Sequence, residues 1–464
     1  MAYQKATLDL KMKDVELVKP SKFTPFCILS LSTLDNRGIY NNHGEIVHVY
    51  RSSTTHHDSN SSSNLCHVFK EALSKALFYY YPFAGRVLKH ADDGKLRVHC
   101  NPNAENYGVP FLEATANCTL SSINYLDNTD TEIAKHLVLS PQDKSYPLLF
   151  MVTKFLCGGF TIGMGISHAL CDGFGVSQFF KAIVELANGK SEPSVTPVWE
   201  RERLVGSITK QPFPLFPLNK ESIAFSPFLN QTSSTNIKQY CFKVEGEMIT
   251  KLKLSLMKES ENIRVTTFES LAAYIWRSRA RALKLNNNGD TMLTVLVGIR
   301  NMKDYDIDPI PKGFYGNSVM EANIVLKVSD LNEMSLYEIV KLIKEAKSVA
   351  STADYVKNTI DALETNFKDR VNMEKSTGAV TVLTEWKHLG FLGENLDFGG
   401  KEIVNLVPAP CNLFATVEMS VFSSSNKFDD VVPSMKGGVN LFTSLPVDAM
   451  PKFKEEIEAL KSLG

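Results

Sequence analysis

The sequence lacks any strong imbalance of charge, and this absence excludes one large class of partner. Its 464 residues carry 50 basic and 51 acidic side chains, for a formal net charge of −1. No cluster of like charges occurs that is long enough to follow a phosphate backbone, which requires concentrated Lys and Arg. We therefore expect no nucleic acid among the partners of this protein.

Signals for secretion and for membrane insertion are also missing. Residues 1–20 alternate charged and apolar side chains and lack the continuous apolar core of a signal peptide. The most apolar window, residues 148–166, contains Lys154 and the pair Gly158-Gly159, so two strands joined by a tight turn are predicted there. We expect a cytoplasmic protein with no membrane partner.

Motifs for a bound metal are absent as well. The eight cysteines are dispersed without a CxxC pair, and no HExxH spacing occurs. A zinc site or a disulfide framework would need such clustering. We therefore expect a protein with reduced cysteines and no metal.

What the sequence does contain is enough apolar material for a large core. Hydrophobic residues make up 44% of the chain and charged residues 22%, as is typical of soluble globular proteins, and the length indicates two or three domains. Helical spacing of apolar residues predicts helices over 65–80, 176–189, 265–283, 335–350 and 451–463, and strand patterns occur at 46–52, 96–100 and 291–301.

A break in this pattern divides the chain. Residues 191–235 are rich in Pro and Ser and show no sustained period, so we interpret them as a long linker. Helices and strands are mixed on both sides of it. The predicted fold class is therefore α/β, with two similar domains at 1–190 and 236–464.

The stretch GISHALCDGFG, residues 165–175, is the first candidate for chemistry. His168 ends an apolar strand pattern and precedes a helical one, and such junctions expose side chains. A histidine titrates near pH 6.5 and suits a general base, while Asp172 can orient the ring or hold the turn. Because the HxxxD spacing also recurs by chance, a purely structural pair is the alternative.

Other chemistries fit this stretch less well. A serine hydrolase would need GxSxG, but Ala169 replaces the final glycine after Ser167. A metal site would need a third ligand at local spacing. Cys171 is one of eight dispersed cysteines, and a packed thiol is the simpler interpretation.

Several motifs together resemble those of one family. The segments YYYPFAGR (79–86), HALCDG (168–173), PVWERERL (197–204), KGFYGN (312–317), LTEW (383–386) and LDFGGK (396–401) occur in that order along the chain. The sequence is thereby similar, over nearly its whole length, to the plant BAHD acyl-CoA-dependent acyltransferases, nearest the branch that includes taxane and other specialised-alcohol acyltransferases.

This resemblance implies a fold and a place for the chemistry. The family has two similar chloramphenicol-acetyltransferase-like α/β domains joined by a long crossover loop, which would be residues 191–235 here. Its catalytic histidine lies in a channel between the domains, and His168 matches that position. Asp172 matches the aspartate that shapes the channel. The resemblance also implies a monomer.

The second signature of the family departs from its usual form here. The family motif is DFGWG, whereas this chain has Asp397-Phe398-Gly399-Gly400 and lacks the tryptophan. The resemblance places Asp397 in the catalytic set and implies that it pairs with an arginine matching Arg300, acting through structure. A solvated turn aspartate is the alternative.

Further site residues follow from the resemblance alone. Thr384 matches a donor near the reacting carbonyl and oxyanion, and Trp386 matches a wall of the acceptor pocket, with ordinary core packing as the alternative. Thr266 and Thr267 match positions near the pantetheine arm of CoA, although a threonine pair before a helix can equally be a cap.

The function implied is acyl transfer with acyl-CoA as co-substrate and no permanently bound cofactor. We expect an O-acyltransferase that moves an acetyl group to a hydroxyl of a bulky apolar plant metabolite, with His168 as general base. A benzoyl- or hydroxycinnamoyl-CoA donor and an amine acceptor are alternatives. A catalytically silent relative that binds a metabolite is a further one.

Overall fold

The computed structural model describes residues 8–37, 43–52, 65–140, 143–210, 213–219, 221–229, 236–258, 264–302, 309–367, 377–410 and 419–462. The chain forms two compact units. The first unit comprises Met1–Val205, Ile310–Asn317 and Leu389–Cys411, and the second comprises Gly206–Pro309, Ser318–His388 and Asn412–Gly464. Residues 310–317 and 389–411, which the sequence placed in the domain 236–464, thus belong to the first unit. The predicted linker 191–235 is shared between the two units, with the boundary after Val205.

The described residues contain the following regular elements. The strands are β1 (Leu10–Met12), β2 (Glu16–Val18), β3 (Cys27–Ser30), β4 (His43–Ser52), β5 (Arg86–Lys89), β6 (Leu96–Cys100), β7 (Val109–Ala116), β8 (Leu148–Lys154), β9 (Phe160–Ser167), β10 (Ile237–Val244), β11 (Asp290–Gly298), β12 (Val319–Lys327), β13 (Val380–Glu385), β14 (Lys401–Pro408), β15 (Met419–Ser424) and β16 (Val439–Pro446). The helices are α1 (Leu65–Tyr79), α2 (Gly173–Ala187), α3 (Gly246–Lys258), α4 (Thr267–Ala282), α5 (Val328–Glu333), α6 (Leu336–Ala350), α7 (Ala353–Thr365) and α8 (Met450–Ala459).

The first unit is built on a seven-stranded sheet. Its strand order is β1-β7-β8-β9-β4-β14, and β2 also pairs with β7. A separate three-stranded sheet has the order β3-β6-β5. Helices α1 and α2 bury the apolar faces that their spacing predicts, including Phe69 and Leu73 on α1 and Phe179 and Phe180 on α2.

The window 148–166 is a hairpin, as predicted. Strands β8 and β9 pair antiparallel from Leu148 opposite Ile166 to Lys154 opposite Phe160. Gly158 adopts a φ of 75° in the turn, a conformation that glycine reaches without strain. Among the described residues no helix is both long and apolar enough to cross a membrane.

The second unit is built on a six-stranded sheet with the order β10-β16-β15-β13-β11-β12. Strand β13 runs parallel to both neighbours, β11 and β15, while the other pairs are antiparallel. Helix α4 is largely buried and carries the fully buried Trp276. Capping boxes begin α4 at Thr266 and α6 at Ser335.

The elements predicted from periodicity are confirmed. Helices α1, α2, α4, α6 and α8 lie at the five segments with helical spacing, and β4, β6 and β11 lie at the three strand patterns. Helix α2 begins at Gly173, three residues before the predicted start, because Asp172 caps it. The described part of 191–235 contains only short 3₁₀ turns, Arg201–Leu204 and Pro227–Leu229, and isolated bridges. The seven cysteines in the described ranges are thiols, and Cys411 lies outside them.

The loop that lacks tryptophan is a two-residue hairpin turn. The backbone N–H of Phe398 donates to the carbonyl of Lys401 at 3.0 Å, and the N–H of Lys401 donates back at 2.9 Å. Gly399 and Gly400 have φ values of 56° and 71°. Two consecutive residues with positive φ define a type I′ turn, which favours glycine at the second position. Glycine at both positions therefore lets the shorter loop close without backbone strain.

We predict that Gly400→Ala destabilises the protein by about 1 kcal/mol, because a side chain strains the left-handed backbone. Open space surrounds the position, so a steric clash does not contribute. Gly298→Ala is the matched control, because Gly298 also has open space but lacks a positive φ. Thermal unfolding measures both variants, and equal melting temperatures would contradict the turn assignment.

Candidate active site

His168 lies in the turn between a strand and a helix, as predicted. Strand β9 ends at Ser167, whose backbone N–H donates to the carbonyl of Pro147 at 2.7 Å. Helix α2 begins at Gly173. The His168 side chain is half-buried, while Ala169, Leu170 and Cys171 are buried. The turn thus leaves His168 partly accessible, while the three residues that follow it are buried.

Asp172 is the N-cap of α2. Its Oδ1 accepts from the backbone N–H groups of Phe174 and Gly175, both at 3.1 Å. These N–H groups have no partner within the helix, and a carboxylate there also interacts favourably with the helix dipole. Of the two roles considered for Asp172, the structure supports holding the turn.

Close packing surrounds the two glycines in the first turn of α2, and at Gly175 the neighbour is backbone, which cannot move aside. A Cβ on Gly173 would lie 2.6 Å from Cδ1 of Leu389, and a Cβ on Gly175 would lie 2.1 Å from the carbonyl oxygen of Tyr315. Neither residue has a positive φ. Space, rather than backbone conformation, therefore excludes larger residues at Gly175, whereas the end of the Leu389 side chain can move away from Gly173.

A buried ion pair that the sequence analysis missed lies behind the turn. Nη1 of Arg201 is 3.1 Å from Oδ2 and 3.3 Å from Oδ1 of Asp35, and the two side chains are 2% and 0% exposed. Nη2 of Arg201 donates to the carbonyl of Leu170 at 2.8 Å. The ion pair is thus bonded directly to the main chain between His168 and Asp172.

A buried asparagine joins this ion pair to His168. Nδ2 of Asn317 donates to Oδ1 of Asp35 and to the backbone carbonyl of His168, both at 2.8 Å. The backbone N–H of Asn317 also donates to Oδ1 of Asp35, at 3.0 Å. Arg201 and Asn317 belong to the motifs PVWERERL and KGFYGN, so the motifs themselves were the available signal for these residues.

Burial lowers the pKa of His168 below its ordinary value of 6.5. Nearby polar groups raise the pKa, among them the backbone of His168, the Asn317 side chain and the carboxylates of Asp172 and Asp35, but burial outweighs them. The imidazole is therefore neutral at pH 7. A neutral imidazole can accept a proton, as a general base requires.

Asp397 lies at the other end of α2. The side chain of Asn188, the C-cap of α2, donates to the carbonyl of Asp397 at 2.8 Å. Since α2 has 15 residues, it spans about 22 Å, and Asp397 is too far from His168 to share a proton transfer with it. Its Oδ1 accepts from the backbone N–H of Ile403 at 3.0 Å, a contact that holds the Gly399-Gly400 hairpin.

The remaining predicted site residues lie in the second unit. Thr384 is at the end of β13, and the backbone N–H of Trp386 donates to the carbonyl of Phe422 at 2.7 Å. Both side chains are half-buried, so Trp386 is not enclosed by the core of this unit. Arg300 follows β11 and is also half-buried; its pairing with Asp397 stays a prediction.

Thr266 is a helix cap. Its Oγ1 accepts from the backbone N–H of Glu269 at 3.2 Å, and Oε2 of Glu269 accepts from the backbone N–H of Thr266 at 3.1 Å. Thr267 is the first residue of α4. The helix-cap role that was the alternative for this threonine pair is therefore confirmed for Thr266. Contact with CoA stays a prediction for both residues.

Comparison with known proteins identifies the class. The family model described as the transferase family matches residues 8–460. The spermidine coumaroyl-CoA acyltransferase of Arabidopsis thaliana is 39% identical over 98% of this chain and 96% of its own length, and the spermidine sinapoyl-CoA acyltransferase of the same plant is 39% identical over 96% of each chain. The taxadien-5-alpha-ol O-acetyltransferase of Taxus cuspidata is 30% identical over 98% of each.

The solved structures agree on the fold. The crystal structure of vinorine synthase matches with a TM-score of 0.72 over 97% of this chain and 98% of that one, at 20% identity. A likeness at this identity shows the fold alone. Sequence and fold together define an α/β acyl-CoA-dependent acyltransferase. The chain belongs to the transferase family of plant BAHD acyltransferases, as its motifs indicated.

We predict that activity falls on the acid side with an apparent pKa below 6.5. Protonation removes the base, and the pKa of His168 is lowered, so the loss occurs at a lower pH than for an ordinary histidine. The measurement is kcat/KM for acyl-CoA at saturating acceptor, followed from neutral to acid pH and corrected for the fraction of any amine acceptor that is protonated. A midpoint above 6.5 would mean that burial does not dominate at His168.

Proposed function

We propose that the protein transfers a hydroxycinnamoyl group from CoA to an amine of a polyamine such as spermidine. The observation that carries this proposal is the identity of 39% to the spermidine coumaroyl-CoA acyltransferase along almost the whole of both chains. The taxane O-acetyltransferase has a lower identity of 30%. From the sequence alone, an amine acceptor and an aromatic acyl donor were alternatives. The identity to the spermidine acyltransferases makes them the preferred substrates of this proposal.

His168 serves as the general base in this proposal. The amine nitrogen attacks the thioester carbon, a C–N bond forms, and His168 takes the N–H proton. The tetrahedral intermediate then expels CoA as the thiolate when the C–S bond breaks. The proton on His168 can pass to the thiolate or to water, which restores the neutral base. The amine must enter uncharged, because a protonated amine has no lone pair.

The proposed roles of the other residues follow from the same step. An oxyanion develops on the former thioester carbonyl, and a hydroxyl donor stabilises it; Thr384 is our candidate. Trp386 would border the acceptor, and its half-buried side chain leaves surface for such a contact. Thr266 and Thr267 would lie near the pantetheine arm, with Thr267 the candidate of the two whose side chain is not the helix cap.

Acetyl transfer to an alcohol is the second candidate function. It was the first expectation from the sequence, and the identity to the taxadienol O-acetyltransferase supports it. His168 would then take a hydroxyl proton in place of an amine proton. The mechanism is otherwise unchanged, so the two candidates differ only in donor and acceptor.

A competition assay separates these candidates. The purified protein receives equal concentrations of p-coumaroyl-CoA, benzoyl-CoA and acetyl-CoA together with spermidine and a bulky terpenoid alcohol, and mass spectrometry identifies the products. We expect coumaroyl-spermidine amides to dominate. Dominant acetate esters would establish the second candidate, and absence of any product with these donors would favour a catalytically silent relative.

We predict that His168→Ala lowers kcat by about 100-fold or more, because general-base catalysis contributes on this order. His67→Ala is the matched control, since the His67 side chain is 65% exposed on α1 and far from the turn in sequence. Both variants are compared for kcat and melting temperature. Normal turnover by His168→Ala would remove the histidine from the mechanism.

A further inference from the structure

The His168 turn is fixed to the protein at three points. The carbonyl of His168 accepts from Asn317, the carbonyl of Leu170 accepts from Arg201, and the carboxylate of Asp172 caps α2. The first two contacts come from segments that are distant in sequence. They converge on Asp35, which bonds to both Asn317 and Arg201. We call Asp35, Arg201 and Asn317 the anchor residues.

Every contact of the Asp35 carboxylate is made by a buried donor. Oδ1 accepts from the backbone N–H and the Nδ2 of Asn317, and Oδ2 accepts from the backbone N–H of Ser32 at 3.1 Å. Arg201 bonds to both oxygens. A buried carboxylate with its charge balanced and its lone pairs occupied is rigid, so it fixes the groups that it binds.

Aromatic rings and a glycine pack closely around the guanidinium of Arg201. Its guanidinium lies 4.4 Å from the ring centre of Trp199, 5.0 Å from that of Tyr315 and 5.1 Å from that of Phe314. A Cβ on Gly316 would be only 1.5 Å from Nη1 of Arg201. The segment before Asn317 is thus pressed against the guanidinium, which fixes the position from which Asn317 reaches His168.

The carbonyl of His168 connects this anchor to the imidazole. It accepts from Nδ2 of Asn317 at 2.8 Å, so the main chain that carries the imidazole is held at this point. A continuous path of hydrogen bonds therefore runs from Asp35 through Asn317 to the main chain of His168.

We propose that Asn317 is a positioning residue for acyl transfer, which holds the His168 carbonyl and through this main-chain contact orients the imidazole that serves as the base. Asp35 and Arg201 act one step further back by holding Asn317. The proposal rests on His168 being the base in the proposed function. It assigns the motif KGFYGN a role in orienting the base.

The test compares Asn317→Ala with Asn405→Ala. Asn405 is also a buried asparagine of the first unit, and its Nδ2 likewise donates to a backbone carbonyl, that of Tyr125, at 3.1 Å. We expect Asn317→Ala to lower kcat by about 10- to 100-fold with little change in KM for acyl-CoA, as loss of a group that orients a ligand or base does. Asn405→Ala loses stability but retains kcat.

The pH profile distinguishes positioning from general stability. The Asn317 side chain raises the pKa of His168, so its removal moves the acid limb of kcat to lower pH. A purely structural role would leave this limb in place. If Asn317→Ala does not fold, Asn317→Ser removes the long amide with a smaller loss of polarity, and the same two measurements apply.

A second readout does not depend on the substrate. Diethyl pyrocarbonate modifies neutral imidazole, and peptide mass spectrometry follows the modification of His168 against pH in the wild type and in Asn317→Ala. We expect the midpoint to shift to lower pH in the variant. A kcat equal to that of Asn405→Ala together with an unchanged midpoint overturns the role of Asn317. Normal activity of His168→Ala instead overturns the proposed function.

Discussion

The first unit depends on one buried ion pair, Asp35 with Arg201. Removing either charge would leave the other unpaired in the interior, which costs far more than the pair itself contributes to stability. The pair nevertheless holds four chain segments together at one point, because Asp35 bonds to Asn317 and Arg201 bonds to Leu170. The ion pair contributes geometry, since it holds the main chain of the His168 turn in a fixed position.

Helix α2 connects the His168 turn to the Gly399-Gly400 hairpin, where the family tryptophan is missing. Its first turn carries the Asp172 cap and the close contacts at Gly173 and Gly175, and its last residue is followed by Asn188, which binds the carbonyl of Asp397. The two signature aspartates therefore lie at opposite ends of one helix, Asp172 as its N-cap and Asp397 bonded to the C-cap Asn188 through its backbone carbonyl. This arrangement explains how the loop tolerates the loss of tryptophan. The type I′ hairpin preserves the contact between Asp397 and Ile403 without it.

Local patterns predicted the elements but not the contacts that assemble the site. The hairpin at 148–166 and the junction at His168 were predictable because strand and helix periods are properties of adjacent residues. Asp35 and Asn317 are 282 positions apart, and nothing in the local sequence indicates that they meet. The assignment of 310–317 and 389–411 to the first unit was unpredictable for the same reason. Thr384 and Trp386 came from the resemblance alone, because a half-buried threonine and tryptophan have no distinctive spacing.

The position of β14 in the first unit has a consequence for biosynthesis. Strand β4 pairs with β9 on one side and with β14 on the other, and β14 is formed by residues 401–408. A ribosome releases the N-terminal strands long before it reaches this segment or Asn317. Until then the outer edge of β4 is open and Asp35 lacks the two donors that Asn317 supplies. The first unit can therefore be completed only after nearly the whole chain has been synthesised. Until then the partly folded chain exposes the edge of β4, which chaperones would need to protect.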